Sequence, residues 1–310
     1  MMWGSRRSVS FSLRSAVALL LAVSVSSHTL LKPTALVPPM KVAVTGAGGN
    51  TGGHVFRKLL GRKDVFNKVV GVVRTPESGE TLKKSIPEAD HGSVRVCDFN
   101  KLAEDFKGLD ALIIATSAKP APTGEINPET NRPVFGFPNG EPKVADWESQ
   151  KQQIDAAIQA GIKHIVICGS MGGTNANHPL NMLGKKADGT GGDILKWKRK
   201  AEKYLIDLAE EKGDALSFTI VHPGGLLDEP GSQRALVVDI DDKLLEQENR
   251  TVPREDVAEV LIQALLCPSG ANRALDLVSK PVSDGTVTTD FEALFASVGG
   301  SCDYSKGEIP

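Results

Sequence analysis

Gly46, Gly49 and Gly52 are spaced G-x-x-G-x-x-G between an apolar run, Lys41–Thr45, and a segment that places Val55, Phe56, Leu59 and Leu60 on one helical face. Glycines at this spacing let a chain turn sharply and bring its backbone N–H groups close to an anion. The helix that follows adds unpaired N–H groups and a partial positive charge at its first turn. Strand, glycine turn and helix in that order make a cradle for the pyrophosphate of a dinucleotide. The spacing is not G-x-G-x-x-G, because Thr51 stands at the last glycine position of that motif. Thr45, Gly46, Gly48, Gly49, Asn50, Thr51 and Gly52 are the expected phosphate-binding residues.

Arg74 directly follows a second apolar run, Lys68–Val73, and the next acid is Glu77. At the end of the second strand of a dinucleotide fold, a carboxylate bonds the ribose 2′-hydroxyl of NAD, and an arginine accommodates the 2′-phosphate of NADP. A guanidinium suits phosphate and a carboxylate would repel it. The expected cofactor is therefore NADP(H) over NAD(H). Ligands of parallel sheets sit outside the carboxyl ends of the strands. That rule adds Asp98 after the third strand, Thr116 and Ser117 after the fourth, and Pro223 and Gly224 after the sixth.

These residues need a frame. Strand-like runs at 41–45, 68–73, 93–97, 110–115, 163–168 and 217–221 alternate with helical patterns, notably 147–160 and 193–212. Such alternation requires a parallel sheet with right-handed crossovers. The expected fold class is α/β, a Rossmann-type doubly wound parallel sheet with a small C-terminal substrate-side region. One NAD(P)-binding domain spans 41–298 and includes a Pro-rich loop, 119–146, read as a lid or binding loop. Residues 299–310 read as a tail.

Residues 1–40 differ in character. Arg6, Arg7 and Arg14 precede an apolar core at 16–27, and no acid occurs before Asp64. The core is short for a membrane span and reads as a signal sequence. Residues 28–40 read as a short transit-like segment. A bipartite leader of this kind points to a plastid, whose stroma supplies NADPH and keeps thiols reduced. The alternatives are the secretory pathway or a chain anchored in a membrane by its leader. The mature chain is expected to lack a stable span. A net charge of −2 gives no case for nucleic acid. Cys97, Cys168, Cys267 and Cys302 are widely separated, with neither a disulfide framework nor a zinc spacing, so no metal is expected.

Taken together, Thr45-Gly46-x-x-Gly49-x-Thr51-Gly52, Arg74, Gly169-Ser170-Met171-Gly172-Gly173, Trp197-Lys198-Arg199-Lys200-Ala201-Glu202 and Val252-Pro-Arg-Glu-Asp256-Val-Ala resemble the atypical short-chain dehydrogenase/reductases. Within them the chain is similar to the NmrA-like NAD(P)-binding branch, most nearly to its small plant NADP-binding members of unassigned reaction. The resemblance covers 41–298. It implies a serine after the fifth strand and a Tyr-x-x-x-Lys on the next helix, the tyrosine exchanging the substrate proton and the lysine holding the nicotinamide ribose. Ser170 and Lys198 match two of these, and Ile194 stands at the tyrosine position. Tyr204, six residues past Lys198, faces elsewhere, toward the core. His222 at the mouth of the sixth strand is the remaining candidate acid, ahead of His178. The expected catalytic residues are thus Ser170, Lys198 and His222, with Lys198 also a cofactor ligand.

Two functions fit. One is an NADPH-dependent oxidoreductase acting on a small carbonyl or enone. The other is a non-catalytic NADPH-sensing or scaffold protein, with a protein partner or a homo-oligomer as its output. Ile194 favours the second; Ser170, Lys198 and the candidate lid favour the first.

Overall fold

The first strand, β1 (Met40–Thr45), is buried on both faces: Val42, Ala43 and Val44 are all fully inaccessible. Val42 and Val44 pack with Val55, Phe56 and Leu59 of α1 (Asn50–Leu60), while Ala43 packs with Leu112 and Ile114 on the opposite face. A strand covered on both sides must be apolar throughout, which is why its sequence shows no alternation.

The computed structural model describes residues 39–86, 93–128, 131, 133–186 and 188–310, and within it Pro38–Pro310 forms one compact unit. The expected leader core and nearly all of the transit-like segment lie outside the described residues. After β1 and α1 come β2 (Phe66–Val73), α2 (Pro76–Ser85), β3 (Val94–Val96), α3 (Leu102–Asp105) and β4 (Ala111–Ile114). The Pro-rich segment, expected as a loop, holds an antiparallel hairpin, β5 (Ala121–Ile126) and β6 (Pro133–Gly136), then a π-helical turn at Lys143–Glu148. That turn runs directly into α4 (Ser149–Gln159), and β7 (His164–Cys168), α5 (Pro179–Met182), α6 (Ile194–Lys212) and β8 (Ser217–Pro223) follow. The remainder is β9 (Gly225–Leu227), β10 (Leu236–Asp239), β11 (Thr251–Pro253), α7 (Arg254–Gln263), β12 (Arg273–Ser279) and α8 (Phe291–Ala296).

The main sheet has the order β10-β12-β8-β7-β4-β1-β2-β3, parallel throughout except for β10, which runs antiparallel to β12. The chain leaves β1 in one direction to β2 and β3 and returns to its other side at β4. The crevice at this reversal is where open α/β sheets bind ligands. β9 and β11 form a separate parallel pair beside it.

The segment expected as a tail is fixed to the sheet. Cys302 N–H donates to the Ala274 carbonyl at 2.9 Å, Ala274 N–H donates to Ser301 Oγ at 2.9 Å, and Arg199 donates to the carbonyls of Asp303 and Lys306. Among the described residues no helix is long and apolar enough to cross a membrane.

Candidate functional site

The glycine turn forms one wall of a cleft of about 860 Å³ at the carboxyl ends of β1, β2, β4 and β7. Gly46 has φ +73°, and a Cβ there would stand 2.5 Å from the Ala115 carbonyl oxygen of the facing wall. A Cβ on Gly52 would lie 2.2 Å from the Gly46 oxygen, so α1 starts hard against the turn. No side chain caps α1 and no acid sits in its first turn. Its leading N–H groups therefore remain available to an anion. Thr45 Oγ1, in the same wall, is buried without a partner. A bare glycine cradle, uncapped N–H groups and an orphaned hydroxyl fit a dinucleotide pyrophosphate.

Arg74 lies exposed on the rim, and its Nη1 donates to the Asn139 carbonyl at 2.8 Å. The Pro-rich segment thus orients the guanidinium. Thr116 and Ser117 line the wall opposite the glycines. The Thr116 carbonyl accepts from Gln150 Nε2 at 2.8 Å, and Ser117 Oγ donates to the Ala118 carbonyl. Pro223 and Gly224 also line the cleft; Gly224 is required by packing, since a Cβ would meet the Arg250 oxygen at 2.2 Å. Asp98 turns into its own loop, accepting from Asn100 N–H at 3.0 Å, while its neighbours Cys97 and Phe99 reach the cleft.

At the other end, Ser170 and Lys198 line the cleft together, as expected. Ser170 Oγ donates to the Met171 carbonyl at 3.2 Å. Lys198 is buried and forms an ion pair at 2.8 Å with Asp146, a fully buried carboxylate. The second Asp146 oxygen accepts from Ala118 N–H at 3.0 Å. Burial works against the Lys198 ammonium, but Asp146, with Cys168 and Glu202 beyond, outweighs it and holds the pKa above the ordinary lysine value. Sequence reasoning missed Asp146. No spacing rule links a carboxylate in a Pro-rich segment to a lysine 52 residues later. Ile194 lines the cleft one turn before Lys198 and packs with Ala118, Phe137 and Leu195. Burial pushes up the Cys168 thiol, which also faces the cleft.

His222 is not brought to the cleft. It is buried behind it, with Nδ1 3.2 Å from Asp276 Oδ1 and Nε2 3.3 Å from Glu202 Oε2. Tyr304 from the C-terminal segment donates to the same Glu202 oxygen at 3.0 Å. Burial opposes the imidazolium, yet Glu202 and its neighbours raise the His222 pKa well above the usual histidine value. In the parallel pairing of β8 with β12, His222 stands in register with Asp276, so the imidazole meets that carboxylate rather than the crevice. His178 accepts from Leu180 N–H at 3.2 Å and starts α5. Tyr204 is half-buried and packs against the core at its edge, its hydroxyl donating to Asp155 at 2.6 Å and its ring meeting Trp147 edge-on.

A sequence model of the family described as NAD(P)H-binding matches residues 46–268. An uncharacterised chloroplastic protein of Arabidopsis thaliana is 47% identical over 266 residues, 85% of this chain and 77% of that protein. Sanguinarine reductase of Eschscholzia californica is 40% identical over 279 residues, 84% of this chain and 96% of that enzyme. Among solved structures, a candidate NAD-dependent epimerase/dehydratase of Bacillus halodurans superposes with a TM-score of 0.55 at 20% identity, over 83% of this chain and 99% of that one. At that identity the likeness shows the fold. The glycine cradle, the doubly wound sheet and these relatives agree: the chain belongs to the NAD(P)H-binding family, as an atypical short-chain dehydrogenase/reductase of NmrA-like type.

Proposed function

We propose that the chain is an NADPH-dependent oxidoreductase that reduces a small carbonyl or enone compound. One observation carries this: Ser170 and Lys198, the lysine held by the buried Asp146, line one cleft with the glycine cradle. The cradle and the first turn of α1 would hold the pyrophosphate, Arg74 the 2′-phosphate, and Lys198 the far ribose. Bound NADPH supplies a hydride. Ser170 donates a hydrogen bond to the substrate oxygen as charge builds there, a contribution of about 10²–10³-fold where such donors have been removed, and the anion left by hydride addition takes its proton from solvent. Leu180, Leu183 and Leu195 line the same end and make it apolar. That the sanguinarine relative is by its name a reductase supports turnover over pure sensing.

Single-turnover loss of NADPH absorbance across a panel of carbonyls and enones tests this reading. Turnover should be slow in the wild type and rise at least about tenfold in Ile194→Tyr, since a positioned acid contributes about 10²–10⁴-fold. No turnover in either protein, with NADPH instead changing oligomeric state, would establish the second reading, an NADPH sensor. Ile194 is the observation that favours it.

NADP over NAD is part of the proposal. Arg74→Ala should weaken NADPH binding by about 1.5–3 kcal/mol, the order of a charge-assisted hydrogen bond, and leave NADH nearly unchanged. Equal losses in titrations with the two cofactors would refute the preference. We also infer a plastid location, supported by the chloroplastic relative and the acid-free leader. Residues 1–45 fused to a fluorescent protein should mark plastids; secretion of the fusion would overturn it.

A further inference from the structure

Behind Gly169, away from the cleft, three side chains from distant parts of the chain converge. They are His222 at the end of β8, Asp276 in β12 and Cys302 beyond α8, all buried. His222 Nδ1 and Asp276 Oδ1 are 3.2 Å apart, Cys302 Sγ is 3.6 Å from that nitrogen, and it is 3.8 Å from that oxygen. A hydrogen-bonded pair would account for one side of this triangle. It would not bring the third atom equally close to both.

We propose that His222, Asp276 and Cys302 form a binding site for a divalent transition-metal ion of zinc type. A triangle with these sides has a point about 2.1 Å from all three corners, inside the range of Zn–N, Zn–O and Zn–S bonds of roughly 2.0–2.3 Å. One imidazole, one carboxylate and one thiolate are donors that zinc accepts.

The surroundings hold each ligand in place. The other ring nitrogen of His222 faces Glu202 Oε2 at 3.3 Å, the carboxylate–imidazole–metal arrangement that fixes which nitrogen carries the free lone pair. Tyr304 OH donates to that same carboxylate oxygen at 3.0 Å. The second Asp276 oxygen accepts from Asp242 N–H at 2.6 Å. Among the described residues three protein donors converge, and water takes the fourth position. Binding releases the thiol proton and any proton on the imidazole, and the ion neutralises carboxylates that burial otherwise penalises. Because Cys302 belongs to the last segment, the ion would pin that segment to β8 and β12. The ligands stand at 222, 276 and 302, so no Cys-x-x-Cys or His-rich spacing betrays them.

The test is a titration of the metal-free full chain with Co²⁺, followed by Zn²⁺. One equivalent of Co²⁺ should give a thiolate-to-metal charge-transfer band that Zn²⁺ abolishes, and Zn²⁺ should raise Tm. Cys302→Ser and Asp276→Asn should each lose the band and the Tm increment while keeping wild-type circular dichroism and NADPH affinity. Glu202→Gln should weaken Co²⁺ binding about 10–100-fold, as removal of such an orienting partner does elsewhere. A folded wild type that gives no band would overturn the proposal, leaving a hydrogen-bonded cluster only. So would a band that persists unchanged in Cys302→Ser, which would place the metal on another cysteine.

Discussion

Exchanging Asp146 for asparagine is expected to cost about 3–5 kcal/mol of folding stability, measured by denaturant titration, because it leaves a buried ammonium without its counter-charge. Asp146 is fully buried, Lys198 is 6% exposed, and they stand 2.8 Å apart. Asparagine can still accept from the Ala118 N–H, so the variant isolates the charge. Lys198→Met alone should cost a similar amount by stranding the carboxylate. The double variant Asp146→Asn/Lys198→Met should recover most of the loss, since the desolvation cost leaves with the pair. Equal losses in the double and the single variants would mean that the two residues do not act as a pair.

The pH profile supplies a second reading of the same variant. In the wild type the raised Lys198 pKa contributes stability that is fully present below the unfolded lysine value and is lost as pH rises through the folded value. Near neutrality this contribution is flat. In Asp146→Asn, burial meets only the weaker opposition of Cys168 and Glu202, and the Lys198 pKa falls. The folded variant then binds fewer protons than the unfolded chain, so its stability should climb toward the unfolded lysine pKa of about 10.4. A constant difference between wild type and variant from neutral to alkaline pH would contradict this.

Gly46→Ala should lower stability by about 2–4 kcal/mol, from left-handed backbone strain and from overpacking. The obstacle is backbone: a methyl there meets the Ala115 carbonyl oxygen at 2.5 Å and its carbon at 2.7 Å. Ala115 and Gly46 face each other across the point where the sheet reverses, so relief of the clash spreads the cleft walls. NADPH affinity should fall at least about tenfold with it, the effect of losing one good polar contact or more. Gly48→Ala is the control. Its φ is not positive and its nearest contact would be Val73 Cγ1 at 3.4 Å, so stability should change by less than about 1 kcal/mol. A Gly46→Ala protein that unfolds and titrates NADPH like the wild type would refute the steric argument.

The parts of this molecule that rest on local chemistry were legible in the sequence. A strand buried on both faces must be continuously apolar, and Val42–Val44 of β1, all of β4 and Ile165–Ile167 of β7 are. The sharp turn after β1 needs glycine at 46 and 52. The helix register alone placed Ile194 and Lys198 in neighbouring positions, and the cleft holds both. What could not be read depends on long-range approach. Asp146 reaches Lys198 only because a π-helical turn aims it inward, and the Pro-rich composition of its segment suggested a loop instead. The hairpin β5–β6 was hidden for the same reason, as prolines fit its short, exposed strands. His222 sits at a strand end, where a ligand-facing residue and a buried one look alike until the partner strand supplies Asp276. Tyr304 and Cys302 read as part of a tail because nothing near them in sequence announces Glu202 or Ala274.

The anchored last segment also bears on the order in which the chain assembles. Glu202, His222 and Asp276 are all laid down before the residues that complete their surroundings. A chain emerging N-terminus first, from a ribosome or through a translocation channel, holds three buried-to-be polar groups without Cys302 and Tyr304. Those groups are expected to stay hydrated until their partners arrive, and α1 likewise waits for α7, whose Val257, Val260 and Leu261 share its core. Docking of residues 301–306 is therefore expected to be the step that dries the β8–β12 end of the sheet.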